Sequence, residues 1–363
     1  MAGLVKLGVV GCGYIAQQDY LPVLVREDVR ECVELTAVCD RVPGRAEEIK
    51  KKYGAKEAYE DYDRMLAEAD PDVVAILTPI PLHYEQVVKA IKAGKHVYVQ
   101  KSMTVTFQEA MEVVDLAEKE GIKLCASPGQ MLDPYHLEAK RLIDAGAIGK
   151  VCFVRGHGCH PGHENQELFG IDPSWYYAPG GGPVRDVAVY PLTSITGILG
   201  PAKRVSAFSG IAIKDRSWNG KRLDVTMDDN TVITLDFGDG VFASVEGSFC
   251  MRRVNTPQIE LYGAKGVIQI GHWARPNPPL EVYTEEDILG FKAGWYLPLN
   301  PISAKPTPPI KPTAADLLHL VECVRLDRNP VPSGAHAMHV IEIIEKAYES
   351  AVTGRAIELT TVF

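Results

Sequence analysis

The sequence predicts an α/β fold: a doubly wound parallel sheet over residues 1–127, then an α+β domain over residues 128–363 with a large, open antiparallel sheet. Three observations carry that prediction. Short apolar runs alternate with helical patterns through the first 125 residues or so, which implies parallel strands with helices on both faces. From about residue 150, strand patterns follow one another directly. And the opening strand, Leu4–Val10, runs straight into Gly11, Gly13 and Ala16 and a helical segment over Ile15–Val25.

That opening segment has a chemical reading. Gly11 allows a tight turn, Gly13 lets the backbone approach a pyrophosphate, and Ala16 keeps the helix close to its strand. The backbone around Cys12, Tyr14 and Ile15 then offers N–H groups and the positive end of a helix to phosphate. The second strand, Val33–Asp40, ends on an acid about 24 residues beyond Ala16, the interval at which a carboxylate binds ribose hydroxyls. Strand, glycine turn, helix, strand and acid in that order make a Rossmann fingerprint. Asp40 favours NAD over NADP, because a carboxylate repels a 2′-phosphate. Arg41 keeps NADP open, since a guanidinium could pair with that phosphate.

Further strands are expected at Val73–Leu77, His96–Val99 and Ile122–Ala126, with helices near 44–53, 61–69, 83–93 and 106–120. Gly94 suits a helix stop and Thr106 a helix start. In the second domain, strands are expected at Val151–Arg155, Arg204–Ile213, Thr231–Phe237, Val241–Phe249, Gln258–Tyr262 and Val267–Ile270. Gly238-Asp239-Gly240 reads as a hairpin turn. The alternation in Val241–Phe249 suggests one buried and one solvated face. Residues 273–313 hold nine prolines around Trp295 and Tyr296, which argues against a central strand or helix there. A lid, an oligomer contact and a surface excursion are equally compatible with it. Helices return near 314–326 and 336–353.

Composition excludes some partners. A formal charge of -9 argues against nucleic acid or an anionic membrane surface. No apolar run approaches the roughly 20 residues of a membrane span, and the first strand is not laid out as a leader. The eight cysteines are dispersed, without a Cys-x-x-Cys pair, and read as reduced. The cytoplasm is the expected compartment.

Ligands of doubly wound sheets bind outside the carboxyl ends of the strands, so Lys101, just past His96–Val99, is aimed at the cofactor crevice. Asp186 and Tyr190 follow a flexible Gly180–Gly182 and are spaced to share a helical face, with Pro191 placing the helix start near Tyr190. Asp72–Pro79 with Leu82 and His83, Ala93–Val97 with Lys101, Ala145–Lys150, Gly180–Asp186 and Pro330–Gly334 occur in an order that resembles the glucose–fructose oxidoreductase/inositol dehydrogenase (Gfo/Idh/MocA) family. The resemblance spans essentially the whole chain. It implies that Lys101 contacts both the nicotinamide ribose and the reacting hydroxyl, and that Thr78, Pro79, His83 and Gln100 lie on the cofactor side. Three departures stand out. Gln100-Lys101-Ser102 replaces the family's usual Glu-Lys-Pro, Ile80 replaces an Asn, and Tyr190 stands where His is common, as in the branch containing glucose–fructose oxidoreductase. Without proline a cis bond costs about 2.5–4 kcal/mol, so the turn at Lys101–Ser102 is expected to be trans and relaid.

The chemistry suits removal of a hydroxyl proton during hydride transfer. A tyrosine's ordinary pKa of about 10 is too high for a good base at neutral pH, because the phenol stays protonated, and an adjacent ammonium lowers it. Lys101, Tyr190 and Asp186 are therefore the candidate catalytic residues. His157, His160 and His163 invite a metal reading with Cys159 or Glu164, but their loop spacing and the chemistry favour hydrogen bonds to sugar hydroxyls, and no metal is expected. Trp175 and Tyr176, beside Tyr177, are candidate walls for a pyranose ring. The expectation is an NAD(P)-dependent oxidoreductase acting on a secondary hydroxyl of a sugar, polyol or glycoside. The resemblance suggests pyranose C3 and a cofactor retained between turnovers. An NAD-assisted glycoside lyase or hydrolase, and a non-catalytic NAD-sensing protein, are the alternatives. A homo-oligomer formed through the open sheet is expected, since an apolar face needs covering.

Overall fold

The computed structural model describes residues 3–165, 172–271, 280–298 and 312–363. The chain forms two units, Met1–Leu132 with Pro308–Ile341, and Asp133–Thr307 with Glu342–Phe363. The expected single cut at 127/128 is therefore corrected.

In the first unit, strands β1 (Val5–Val10), β2 (Val33–Cys39), β3 (Glu57–Tyr59), β4 (Val73–Ile76), β5 (His96–Val99) and β6 (Leu124–Ala126) form one parallel sheet in the order β3-β2-β1-β4-β5-β6. All four residues of β4 are buried, as a strand covered on both faces requires. A π-helical turn, Ala16–Tyr20, leads into α1 (Leu21–Leu24); α2 (Glu27–Arg30), α3 (Arg45–Tyr53), α4 (Tyr62–Glu68), α5 (His83–Lys92) and α6 (Phe107–Lys119) follow. Thr106 starts α6 with a full capping box closed by Glu109, and Asp61 caps α4. The strand order reverses between β1 and β4, which opens the ligand crevice at their carboxyl ends.

Two more helices follow much later in the chain, α9 (Pro312–Leu326) and α10 (Gly334–Thr353), separated from α6 by α7 (Pro134–Asp144) and α8 (Val189–Leu199). Ala314, Leu317, Leu320 and Val321 recur at helical spacing and bury one face of α9 in the cluster of Leu7, Val9, Tyr20 and Tyr98. That apolar face is the physical reason residues far along the chain belong to the first unit. The unit boundary falls inside α10, between Ile341 and Glu342.

The second unit is built on β7 (Val151–Cys159), β8 (Arg204–Gly210), a ribbon of β9 (Ser217–Trp218) and β10 (Lys221–Arg222), then β11 (Asn230–Gly238), β12 (Val241–Ser248), β13 (Ile259–Gly263), β14 (Gly266–Ile270), β15 (Leu280–Thr284), β16 (Gly294–Tyr296) and β17 (Ile357–Glu358). Nine of these strands share a sheet in the order β16-β15-β14-β13-β7-β12-β11-β8-β17. Every neighbouring pair is antiparallel except β7 with β12. The sheet is thus mixed at one joint. The chain leaves β7 through α8, re-enters at β8 and meanders back through β11, so β12 arrives pointing the same way as β7.

The proline-rich segment is corrected too. β15 pairs on both sides, with β14 and β16. Its five residues contain no proline and alternate in burial, so the ladder closes between the prolines. Residues 272–279 and 299–311 of that stretch lie outside the described residues. Among described residues, no helix is long and apolar enough to cross a membrane.

Candidate active site

In the first unit the site begins at Gly11. Its φ of +89° is left-handed, and a Cβ there would lie 2.8 Å from Leu77 C and Thr78 N, so the turn tolerates only glycine. At Gly13 a Cβ would meet no protein atom within 4 Å, so the space above that backbone stays open for a ligand. Asp40, at the end of β2, is buried. Its carboxylate accepts from Cys12 N at 2.9 Å and Val42 N at 2.8 Å, which ties the glycine turn to the neighbouring strand end. Arg45 contacts both Asp40 oxygens at 3.4–3.5 Å, whereas Arg41 is exposed. Sequence reading missed Arg45, although its place at the start of α3, five residues past the acid, was a usable signal. Tyr14 and Ile15 are half-buried where the helical segment begins. Burial, with Asp40 nearby, pushes the Cys12 thiol up to about 12, so it is an inert filler of the turn. The open backbone at Gly13 and the anchored carboxylate at Asp40 fit NAD.

The β4 and β5 ends are cross-braced. Thr78 Oγ1 donates to Gln86 Oε1 at 2.5 Å, and Pro79 is exposed. His83, expected on the cofactor side, is fully buried instead: Nδ1 lies 2.8 Å from Ser102 O and Nε2 2.7 Å from Thr78 O. Both ring nitrogens face backbone carbonyls, and the neutral ring donates its single N–H to one of them, Ser102 O or Thr78 O, according to the tautomer. Burial pulls its pKa down against the pull of those carbonyls. The Lys101–Ser102 peptide is cis, which corrects the expected trans turn. The turn is gripped at each end, because Lys101 N donates to Gln100 Oε1 at 2.8 Å while Ser102 is held by His83. Lys101 itself is half-exposed at the carboxyl end of β5.

In the second unit, Asp186 sits in a π-helical turn, Val184–Ala188, that runs into α8, so Asp186 and Tyr190 straddle the start of that helix. The glycines before it are obligatory: a Cβ at Gly181 would meet Trp175 O at 2.5 Å. On β7, a Cβ at Gly158 would meet Val187 O at 2.1 Å, so the strand has no room for a side chain against this turn. Asp186 Oδ2 lies 2.7 Å from His163 Nε2 and 3.6 Å from His160 Nε2. Gly162 N donates to His160 Nδ1 at 3.0 Å, which fixes the proton of neutral His160 on Nε2. His163 Nε2 donates to the Asp186 carboxylate, while the His160 Nε2–H stands 3.6 Å from the same oxygen, beyond hydrogen-bond distance. These three residues also cluster as metal ligands would, but with that tautomer His160 presents a donor, not a lone pair.

The structure separates His157 from this group. Side chains alternate along β7, and Gly156 and Gly158 face the helical layer, so His157 points to the other face and lies 3.4 Å from Thr256 O. Trp175 and Tyr176 pack onto this group. Tyr176 is sandwiched between His163 (ring centroids 3.5 Å, 17°) and Trp175 (3.8 Å, 32°), so its faces serve to fix His163. Beneath the loop, Arg216 is bound to Glu164 at 2.6 Å and Asp229 at 2.7 Å, and Tyr177 donates to Glu164. Burial opposes the Arg216 charge, but the hydrogen bonds it donates to Asp229 and Glu164 outweigh it and raise its pKa. Gly162 passes so close that a Cβ would meet Arg216 Nη1 at 2.5 Å. Nothing local in the sequence pairs Arg216 with Glu164, 52 residues earlier.

Residues 5–127 match the NAD-binding Rossmann-fold domain of the Gfo/Idh/MocA oxidoreductase family, and residues 136–269 match that family's C-terminal domain. A scyllo-inositol 2-dehydrogenase (NAD(+)) of Bacillus subtilis (strain 168) is 25% identical over 327 residues, 90% of this chain and 89% of that protein. A D-glucoside 3-dehydrogenase of Escherichia coli (strain K12) is 27% identical over 263 residues, 68% of this chain and 70% of that protein. Among solved structures, a levoglucosan dehydrogenase in complex with NADH and levoglucosan matches with a TM-score of 0.86 at 21% identity, covering 99% of this chain and 100% of that one. With both family domains matched in order and the glycine turn and Asp40 built as a dinucleotide cradle, the chain belongs to the Gfo/Idh/MocA family of NAD-binding oxidoreductases.

Proposed function

We propose that this enzyme oxidises a secondary hydroxyl of a sugar, polyol or glycoside, with a pyranose C3 hydroxyl as the leading candidate. The observation that carries the reading is Lys101 at the carboxyl end of β5, on a turn clamped by Gln100 and His83 in a sheet that cradles NAD. The relatives' names support the substrate class and the ring carbon. When bound, NAD supplies the hydride acceptor. Lys101 holds the reacting oxygen with its ammonium and favours its loss of a proton. Tyr190 takes that proton as its phenolate, and becomes the neutral phenol. Asp186, which accepts from His163 Nε2 at 2.7 Å, orients a substrate hydroxyl by accepting from it. His157 is left out of the sugar site.

Lys101→Ala is expected to fold and bind NAD with parent-like affinity by calorimetry while turnover falls at least about a hundredfold. Turnover is best read on a panel of sugars and glycosides with NAD and NADP, by product mass as well as absorbance, because a retained cofactor recycles without an absorbance change. Parent-like turnover would sink the assignment. Glycosidic cleavage without net NADH would instead favour the lyase or hydrolase reading. The proposal includes a homo-oligomer formed through the exposed sheet face, where Phe208 on β8 pairs with Val232 on β11 and Phe242 on β12 lies opposite Asp236, four residues further along β11. It also includes the cytoplasm, which suits eight cysteines with no disulfide among them.

A further inference from the structure

Behind the Lys101 turn, four side chains of the first unit form a hydrogen-bond chain whose donors all run one way. Lys101 N can only donate, so the Gln100 atom it meets is Oε1, and the Gln100 amide must face Tyr20 with its NH2 group. Tyr20 Oη accepts there and lies 2.6 Å from Tyr98 Oη. Tyr98 Oη donates to Asp316 Oδ1 at 2.9 Å, with Thr313 O a more distant acceptor at 3.4 Å. Tyr20, Tyr98 and Asp316 are fully buried and Gln100 nearly so. Each hydroxyl carries one proton. Tyr20 accepts from Gln100 and passes its proton toward Tyr98, which passes its own toward the carboxylate. With Asp316 ionised, an amide at one end and an acceptor at the other satisfy every link, and only in that direction.

Asp316 is set for this by its surroundings. Its own helix contributes Leu317 N, which donates to Oδ1 at 3.0 Å. Tyr98 on β5, Ser127 after β6 and the Cys125 thiol, which reaches Asp316 O, face it from the sheet. Gly129 passes so close that a Cβ would lie 2.7 Å from Asp316 Cβ.

We propose that Asp316 is a positioning residue for the Lys101 turn: acting through Tyr98 and Tyr20, it fixes which way the Gln100 amide faces and so holds the backbone beside Lys101. The kinetic part rests on Lys101 being catalytic; the wiring does not. Gln100→Glu places an acceptor at each end of a chain of three links that has only two hydroxyl protons, so one link is left without a proton unless one enters. Asp316→Asn removes one anion, and its amide can serve as donor or acceptor.

The test is a double-mutant cycle of Gln100→Glu and Asp316→Asn, read by thermal unfolding, NAD affinity, and kcat and KM across pH. Gln100→Glu is expected to lower kcat about tenfold at pH 8, with little change in KM, and to recover toward pH 6. In the Asp316→Asn background its effect should shrink severalfold. Tyr98→Phe cuts the chain and should make the two effects additive; it also keeps the question answerable if Asp316→Asn fails to fold. Additive effects with Tyr98 intact would overturn the wiring. Coupling in thermal unfolding without any in kcat or its pH profile would reduce Asp316 to a structural role. Coupling in stability together with an active Lys101→Ala variant would instead locate the failure in the catalytic reading of Lys101.

Discussion

Gly11 shows how much can depend on a missing methyl. Alanine there would adopt a left-handed φ and drive its Cβ into the Leu77–Thr78 peptide. The backbone penalty alone is about 1–2 kcal/mol, and relief of the contact moves β4 away from the turn. Gly11→Ala is expected to lose about 2 kcal/mol or more in denaturant unfolding and to weaken NAD binding at least tenfold by calorimetry. Asp316 gives a second residue-scale expectation. Burial pushes its carboxyl up to about 7, against about 3.9 in an unfolded chain. Between those values the folded protein keeps a proton that the unfolded chain has released. Stability therefore falls as pH rises from about 4 to about 7, by at most about 1.4 kcal/mol per pH unit, and levels off above. Asp316→Asn should flatten that slope in unfolding experiments run pH by pH. Of these residues, Gly11 and Asp40 were legible because their partners are set by a short, ordered motif. The Tyr20–Tyr98–Asp316 chain was not, because its links join residues 78 and 218 positions apart.

At the level of elements, the π-helical turn holding Asp186 depends on β7 presenting no side chain to it. Gly158→Ala would place a carbon 2.1 Å from Val187 O, so strand and turn must separate. The expected outcome is a loss of several kcal/mol in stability, or soluble protein with sharply reduced kcat and intact NAD affinity. NAD affinity equal to the parent with equal kcat would show that the turn tolerates the shift. Strands with strong alternation, such as β12, and helices with clear caps, such as α6, could be read from sequence. β3 could not, being three residues long, and neither could α7. β15 was hidden among prolines that in fact stop short of the ladder. His157 was grouped with His160 and His163 by spacing, and strand alternation sends it to the opposite face of the sheet.

Across whole units, one face of the nine-stranded sheet carries Phe208 at 84% exposure, with Val232 beside it in register and Phe242 one strand further on. Phe208→Asp should leave the protomer's stability within about 0.5 kcal/mol, since the side chain is already in solvent, and should shift light-scattering mass toward smaller species. An unchanged mass would remove this face from the assembly. The parallel sheet of the first unit was readable from alternation and glycine placement. The parallel joint of β7 with β12 was not, since pairing partners are chosen by topology and not by any local pattern.

The membership of α9 in the first unit has a consequence for how the protein is made. A ribosome delivers β1 to β6 early, yet Leu317, Leu320 and Val321, which cover part of their core, emerge only after most of the second unit has been synthesised. Until then the nascent sheet carries an uncovered apolar face. Leu7 and Val9 wait on it for a helix encoded about three hundred residues downstream, and Tyr98 for one about two hundred downstream, so the interval of translation is also an interval of exposed apolar surface.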